Sequence, residues 1–285
     1  CPRCSVHLTY HSANGRLMCH YCGHSEPLPD ACPSCGGALN FLGYGTQKVE
    51  EELHAAFPGR EILRMDTDTV SATQSHEKLL SRFEKERIPV LVGTQMVAKG
   101  LDFENVTLVG VISADLSLYV DDYRAGERTF SLLTQVVGRS GRFDLPGRAF
   151  IETAQPHNPV FALASAQDYE AFYREEILFR KVNLYPPFCS LLMVQFTSVS
   201  EADSHAGARL FARLFTRLAQ TEYADLPIRM LGPAGDTLYR VAGKYRCHLI
   251  LKCRNDRRMR ELTRRVLEQF YAQAPAGVQA IPDLD

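Results

Sequence analysis

Apolar residues change period along this chain, and each change marks an element. Val49, Leu53 and Ala56 recur at helical spacing before Pro58 and Gly59, which predicts a short amphipathic helix over 47–56. Residues 61–65 then read as a strand. Leu79, Leu80 and Phe83 share one face of a charged helix over 75–86, and the short branched runs 90–92, 107–112 and 148–152 read as further strands. Strands alternating with helices at this spacing predict a parallel sheet with helices on both faces, an α/β lobe covering 40–155.

Beyond that lobe the pattern lengthens. Residues 158–181, rich in Ala, Phe and charge, read as one long helical stretch that closes at Tyr185, Pro186 and Pro187, a natural domain boundary. Strands over 190–196, 228–231, 245–252 and 278–281, with helices over 201–220 and 256–272, give the order βαββαβ. That order predicts an α+β ferredoxin-like domain, an antiparallel sheet with two helices on one face. The expected organisation is therefore a cysteine-rich module (1–39), an α/β lobe (40–155), a linking helix (156–187) and a C-terminal domain (188–285).

Composition adds limits. Charge is nearly balanced, with 32 basic and 33 acidic residues, so contact with nucleic acid has to come from local patches rather than a global field. The longest apolar stretch, 106–114, is interrupted and far too short to span a membrane.

Six of nine cysteines form three C-x-x-C pairs: Cys1 and Cys4, Cys19 and Cys22, Cys32 and Cys35. With Pro inside and Gly after, these are zinc knuckles, turns whose amides point back at two thiolates. Zinc takes four ligands in a tetrahedron, so three pairs make one site and a half. Disulfides are the competing reading, but the sequence carries no apolar leader, and clustered C-x-x-C pairs in an intracellular chain bind metal more often. A thioredoxin-type pair would open a helix in a βαβ context, whereas these pairs sit among His, Pro and Gly. His7, His11, His20 and His24 read as surface residues, and Cys189, Cys247 and Cys253 as core cysteines. A chain that starts inside a knuckle, without Met, leads us to expect a fourth pair upstream.

Two segments of the α/β lobe carry chemistry. In the first, the strand 90–92 runs into a polar loop bearing Thr94, Gln95, Lys99, Gly100 and Asp102, at the carboxyl end of a strand, where open α/β sheets bind ligands. Thr94 and nearby amides suit a phosphate, Lys99 can neutralise one, and Asp102 can accept from a ribose hydroxyl. The bland alternative is an ordinary strand-to-helix turn capped by Asp102. In the second segment, Gln135, Arg139 and Arg142 would stack on one face if helix continued through them, with Gly138 and Gly141 permitting close approach. Paired guanidinium groups suit a triphosphate whose charge grows during hydrolysis. A solvated arginine pair at a helix end would explain neither the Gln nor the glycines.

The C-terminal domain offers weaker signals. Met259, Leu262, Val266, Leu267 and Phe270 form an apolar stripe, while Arg257, Arg258, Arg260, Arg264 and Arg265, preceded by Lys252 and Arg254, form a basic rim that is either merely solvated or a phosphate or acidic-peptide site. The 239–246 loop sets Tyr239 and Tyr245 beside Arg240, Lys244 and Arg246, a composition suited to stacking on unpaired bases.

Thr94, Gln95 and Met96 through Lys99, Gly100, Leu101, Asp102 and Phe103 resemble motif V of superfamily 2 helicases, and Gln135 through Arg142 resemble motif VI with its arginine fingers. Knuckles placed before Gly43, Tyr44, Gly45, Thr46, Gln47, Lys48, Val49 and Glu50 narrow the likeness to the primosomal protein N′ family of bacterial replication restart helicases. Asp121 through Arg128, Pro186 to Phe188 and Leu231 to Pro233 extend it over essentially the whole chain. The resemblance implies a second RecA-like motor lobe with a zinc module inserted in it. It also implies a 3′-5′ DNA helicase that uses ATP and Mg, restarts stalled forks and initiates primosome assembly.

Residue by residue, the resemblance places Cys1, Cys4, Cys19 and Cys22 on one structural zinc and makes Cys32 and Cys35 half of a second. Thr94, Gln95 and Lys99 would line DNA; Gly100, Asp102, Arg139 and Arg142 would face ATP; Gln135, Arg139 and Arg142 would carry catalysis. Implied partners are forked and single-stranded DNA, single-stranded DNA-binding protein and other primosome proteins, with a monomeric, cytoplasmic, nucleoid-associated protein and no membrane. Neither a G-x-x-x-x-G-K-[ST] loop nor an Asp-Glu-x-His sequence occurs, so this chain alone is expected neither to hydrolyse ATP nor to unwind DNA. Two other readings stay open: a non-catalytic zinc-binding nucleic-acid or assembly protein, and a superfamily 2 helicase acting on RNA.

Overall fold

The computed structural model describes residues 1–6, 8–11, 15–31, 35–37, 45–66, 76–95, 97, 106–138 and 147–285. They fall into two units, one formed by Cys1–Leu39 with Leu178–Asp285 and the other by Asn40–Ile177.

The second of these is the α/β lobe. Helix α1 (Thr46–Ala56) leads to β4 (Ile62–Met65), α2 (His76–Lys85) and β5 (Val90–Gly93), and β4 and β5 pair in parallel with Ile62 opposite Val90. Parallel strands need a crossover, and α2 lies within it, burying Leu79 against Leu63, Met65 and Ile88. Arg64 on β4 reaches Glu50 on α1 at 3.1 Å, and Thr46 donates to the buried Asp66 just past β4. A second parallel pair joins β6 (Leu108–Val111) to β7 (Arg148–Ile151), with α3 (Ala125–Val137) between them in sequence. Here the core is Phe130, Leu133, Phe161, Ala164 and Phe172, with Phe130 and Phe172 stacked at 4.1 Å.

The expected single helix over 158–181 is two: α4 (Pro159–Ala166) and α5 (Tyr169–Asn183). Gln167 takes left-handed dihedrals, φ 55°, and returns its amide to Ala164 and Leu163, while Asp168 accepts the amide of Ala171 at 2.9 Å to start the next helix. Asx residues favour such caps over helix interiors, which a reading of apolar spacing passes over.

In the other unit, β1 (Thr9–His11), β2 (Arg16–Met18) and β3 (Ser25–Pro27) make a small antiparallel sheet between the cysteine pairs. The C-terminal domain runs β8 (Ser190–Ser198), α6 (Glu201–Thr221), β9 (Arg229–Val241), β10 (Lys244–Cys253), α7 (Arg257–Gln273) and β11 (Gln279–Leu284). Its strand order is β11-β8-β10-β9, all antiparallel, the ferredoxin-like arrangement read from the sequence. Alternate residues of β8 and β10 (Val194, Phe196, Cys247, Leu249, Leu251) meet Phe211, Phe215, Val266 and Phe270 of the two helices.

Three expectations are corrected here. Strand β9 extends far beyond 228–231, so 239–246 is the end of a β-hairpin, not a loop. Cys247 and Cys253 are buried, but Cys189 is only half-buried and donates to the carbonyl oxygen of Leu184 at 3.0 Å. The basic rim is largely spent: Arg258 pairs with Asp225, Arg264 with Glu268 at 2.5 Å and Arg265 with Glu222 at 2.5 Å, while Lys252 is buried. Among the described residues no helix is long and apolar enough to cross a membrane.

Candidate metal centre and motor-lobe residues

Cys1 and Cys4 lie before the small sheet, and Cys19 and Cys22 follow its middle strand. The fold brings all four sulfurs within 4.8 Å of one another, with Cys1 and Cys22 at 3.7 Å. A tetrahedron with metal–sulfur bonds of about 2.3 Å has edges near 3.8 Å, so the spacing fits a zinc ion held by four thiolates. Cys4 and Cys19 are buried, whereas Cys1 and Cys22 are half-exposed, so the cluster opens to solvent on one side.

The knuckle geometry is local at the second pair. The amide of Gly23 donates to Cys19 O at 2.9 Å and that of Cys19 to His24 O at 2.8 Å, with Gly23 at φ 69° closing the turn. Burial pushes the Cys19 thiol up, but amides of Cys22 and Tyr21 and the neighbouring thiols outweigh it and bring the group down to about 7. Burial instead dominates at Cys4 and raises it, against one opposing hydrogen bond from the amide of Ala242. One thiol of the cluster is thus readied as a thiolate by its own turn, as metal binding requires. His24, read as a surface residue, pairs with Glu26 at 2.9 Å.

Cys35 is exposed and is no member of the cluster. Its partner Cys32 lies outside the described residues.

On the α/β lobe, Thr94 and Gln95 follow directly on β5 and are exposed. The amide of Val97 donates to Thr94 O at 3.0 Å, turning the chain there. Gly93 before them is required by contact: a Cβ there would stand 2.7 Å from the carbonyl oxygen of Met65 and 2.2 Å from Val97 Cγ2. Gln135 sits exposed near the end of α3 and donates to Ser131 Oγ at 3.3 Å. The helix stops at Val137, and Gly138 caps it where a Cβ would meet Thr134 O at 3.1 Å. Lys99, Gly100, Asp102, Arg139 and Arg142 lie outside the described residues.

The segment 121–128, which entered the sequence reading only as part of the resemblance, holds a charge cluster at the start of α3. Asp122 accepts from Arg124 at 3.1 Å and pairs by charge with Arg128 at 2.9 Å. Burial would raise its carboxyl, but the hydrogen bonds and charge of Arg124, with the charge of Arg128, hold it below the usual range. The i, i+2 and i, i+6 spacing of these residues was the available signal.

Three family models match the chain: the PriA DNA helicase Cys-rich region domain over 1–27, the helicase conserved C-terminal domain over 38–144, and the primosomal protein N C-terminal domain over 181–282. The replication restart protein PriA of Bacillus subtilis (strain 168) is 42% identical over 271 residues, covering 95% of this chain and 33% of that protein. The PriA of Treponema pallidum (strain Nichols) is 36% identical over 288 residues, covering 100% of this chain and 42% of that protein. The chain therefore spans well under half the length of these relatives. With its cysteine-rich, helicase and C-terminal segments all matched in that order, the chain belongs to the PriA replication restart family.

Proposed function

We propose that this chain supplies the second motor lobe, the zinc module and the C-terminal binding domain of an ATP-dependent 3′-5′ DNA helicase that restarts stalled replication forks. The observation that carries the reading is the pairing, in one chain, of a four-thiol cluster with a parallel-stranded lobe that presents Thr94 and Gln95 at the carboxyl end of β5.

On this reading Thr94, Gln95 and Lys99 hold the backbone of single-stranded DNA, the sequence-independent contact a translocating motor needs. Gly100 and Asp102 contact the nucleotide, and Arg139 and Arg142, with Gln135 beside them, neutralise the charge that builds on the terminal phosphates as the bond to them breaks. The phosphate-binding loop and the acidic residues that hold magnesium belong to a first lobe. Closure of the two lobes around ATP then ratchets the DNA strand. Cys1, Cys4, Cys19 and Cys22 hold a structural zinc, which supplies a cross-link in place of a hydrophobic core in a module too small for one. Cys32 and Cys35 supply half of a second site. Forked DNA, single-stranded DNA-binding protein and other primosome proteins are the partners, and the cytoplasm is the compartment.

The test uses the complete helicase and this chain side by side. The complete protein should unwind forked DNA in preference to structured RNA, and Arg142→Ala should lower DNA-stimulated ATP hydrolysis by at least 10³-fold while ATP still binds. This chain alone should hold zinc and show no ATP hydrolysis. A preference for RNA, or appreciable ATP hydrolysis by the isolated chain, would overturn the reading.

A further inference from the structure

We infer that the turn of the β9–β10 hairpin is the outer shell of the metal centre, so that holding the metal and docking the cysteine module on the C-terminal domain are one coupled event. The inference rests on the zinc reading above.

The sulfur of Cys4 accepts the backbone amide of Ala242 at 3.1 Å, from a residue 238 positions away in sequence. Cys19 takes its amide donors from its own knuckle, whereas this donor comes from another domain. Four thiolates around a dication leave a net charge of about −2, and amides aimed at the sulfurs are what offset it in a half-buried site. Partners that orient and stabilise metal ligands in this way are as much a part of such sites as the ligands themselves.

The contact is not a lone hydrogen bond. Ser5 donates its amide to Arg240 O at 2.7 Å and Gly243 donates its amide to Arg3 O at 2.8 Å, so residues 3–5 lie along the hairpin like a short extra strand. Ser5 Oγ accepts the amide of Arg240 at 3.1 Å, and the Arg240 guanidinium reaches Pro2 O at 3.3 Å while lying 5.1 Å over the Tyr245 ring. Every residue from Pro2 to Ser5 is thereby tied to the hairpin.

The turn itself is shaped for the task. Ala242 and Gly243 both have positive φ, 50° and 81°, and join the paired residues Val241 and Lys244, which makes a two-residue hairpin turn of the type that matches strand twist. Asn, Asp or Gly is usual at the first position. Ala resists the left-handed region, and here it is held there with its amide directed at Cys4. Of the cations that composition alone assigns to unpaired bases, Arg240 is thus committed in part to the module, through Pro2 O, and otherwise lies over the hairpin's own Tyr245 ring.

Linkage makes the coupling reciprocal: whatever the metal contributes to the hairpin contact, the contact returns to metal affinity. Amide hydrogen exchange on the intact chain tests one direction. Metal content is measured first; a chain without zinc would overturn the zinc reading and this inference together. With zinc bound, amides of Ala242 and Gly243 should exchange at least tenfold more slowly than after chelation, while those of Val194 and Phe196 in the domain core should not change. Zinc bound with indifferent amides at 242 and 243 would overturn the inference alone.

The other direction uses the double variant Ser5→Ala and Arg240→Ala. It should release zinc to a chelator roughly tenfold faster, the lower end of what a disturbed outer shell costs, while the C-terminal domain still unfolds in one cooperative transition. An unaltered release rate would also overturn the inference.

Discussion

The ammonium group of Lys252 lies 4.0 Å from the centre of the Tyr185 ring and donates to the carbonyl oxygen of Asn183 at 2.5 Å. A residue that composition places in a basic rim is a latch between β10, one of the two inner strands of the C-terminal sheet, and the chain that leads into that sheet. Burial lowers its affinity for a proton, yet the ring face and the carbonyl both favour the cation. Lys252→Met keeps most of the stem but leaves the Asn183 carbonyl without this donor. We expect a loss of about 1–3 kcal/mol in urea unfolding of the domain, whereas Arg257→Met, on the outer face of α7, should cost under about 0.5 kcal/mol.

Asp236 ties three strands together on the face of the sheet opposite the helices. It accepts from Gln195 on β8 at 2.9 Å, pairs by charge with Arg246 on β10 at 3.3 Å, and also binds the ring of His248. Its side chain is only 11% exposed, so removing its charge leaves a half-buried guanidinium uncompensated. Asp236→Asn is expected to destabilise the domain by about 3 kcal/mol, read as a lower midpoint in denaturant with an unchanged slope. An effect below 0.5 kcal/mol, the range of ordinary surface positions, would show that the clamp contributes little.

Gly93 bears on the loop proposed to contact DNA. An added Cβ meets the backbone of Met65, which cannot swing away as a side chain tip can. Gly93→Ala should therefore shift the segment carrying Thr94 and Gln95, cost about 1–3 kcal/mol in the α/β lobe and weaken binding of single-stranded DNA by the complete helicase. Wild-type DNA affinity in a variant with the expected stability loss would separate the packing role of Gly93 from the loop's function.

Acid should act on Asp122. Its carboxyl is held below the ordinary value, so its contribution to stability is complete above the unfolded value, about pH 4, and is lost as pH falls through the depressed folded value. Between pH 6 and pH 3, the thermal midpoint of the wild type should fall further than that of Asp122→Asn. Parallel curves would mean that the two arginines do not sense the charge.

Much of this was legible in sequence because period and punctuation report local structure. Leu79, Leu80 and Phe83 sit at helical spacing and do pack on the β4 strand side, and the βαββαβ order was enough to imply the strand order of the C-terminal sheet. The cysteine spacing likewise brought four sulfurs together. What could not be read were contacts without a period. Nothing local in Ala242 or Gly243 announces Cys4, and the breaks at Gln167 and Asp168 depend on cap chemistry that interrupts an otherwise helical apolar pattern. The charge on α7 misled because a count of arginines does not count Glu222, Asp225 and Glu268, which reach them from the same helix and from the segment after α6.

That pairing has a thermodynamic consequence for any polyanion approaching α7. A free arginine displaces a condensed cation from nucleic acid when it meets a phosphate, and the released ions drive binding at low salt. Arg258, Arg264 and Arg265 would each have to give up a carboxylate first, and that carboxylate then gathers cations of its own. The net ion release per contact tends to zero, and these three arginines add little to the steepness with which affinity falls as salt rises.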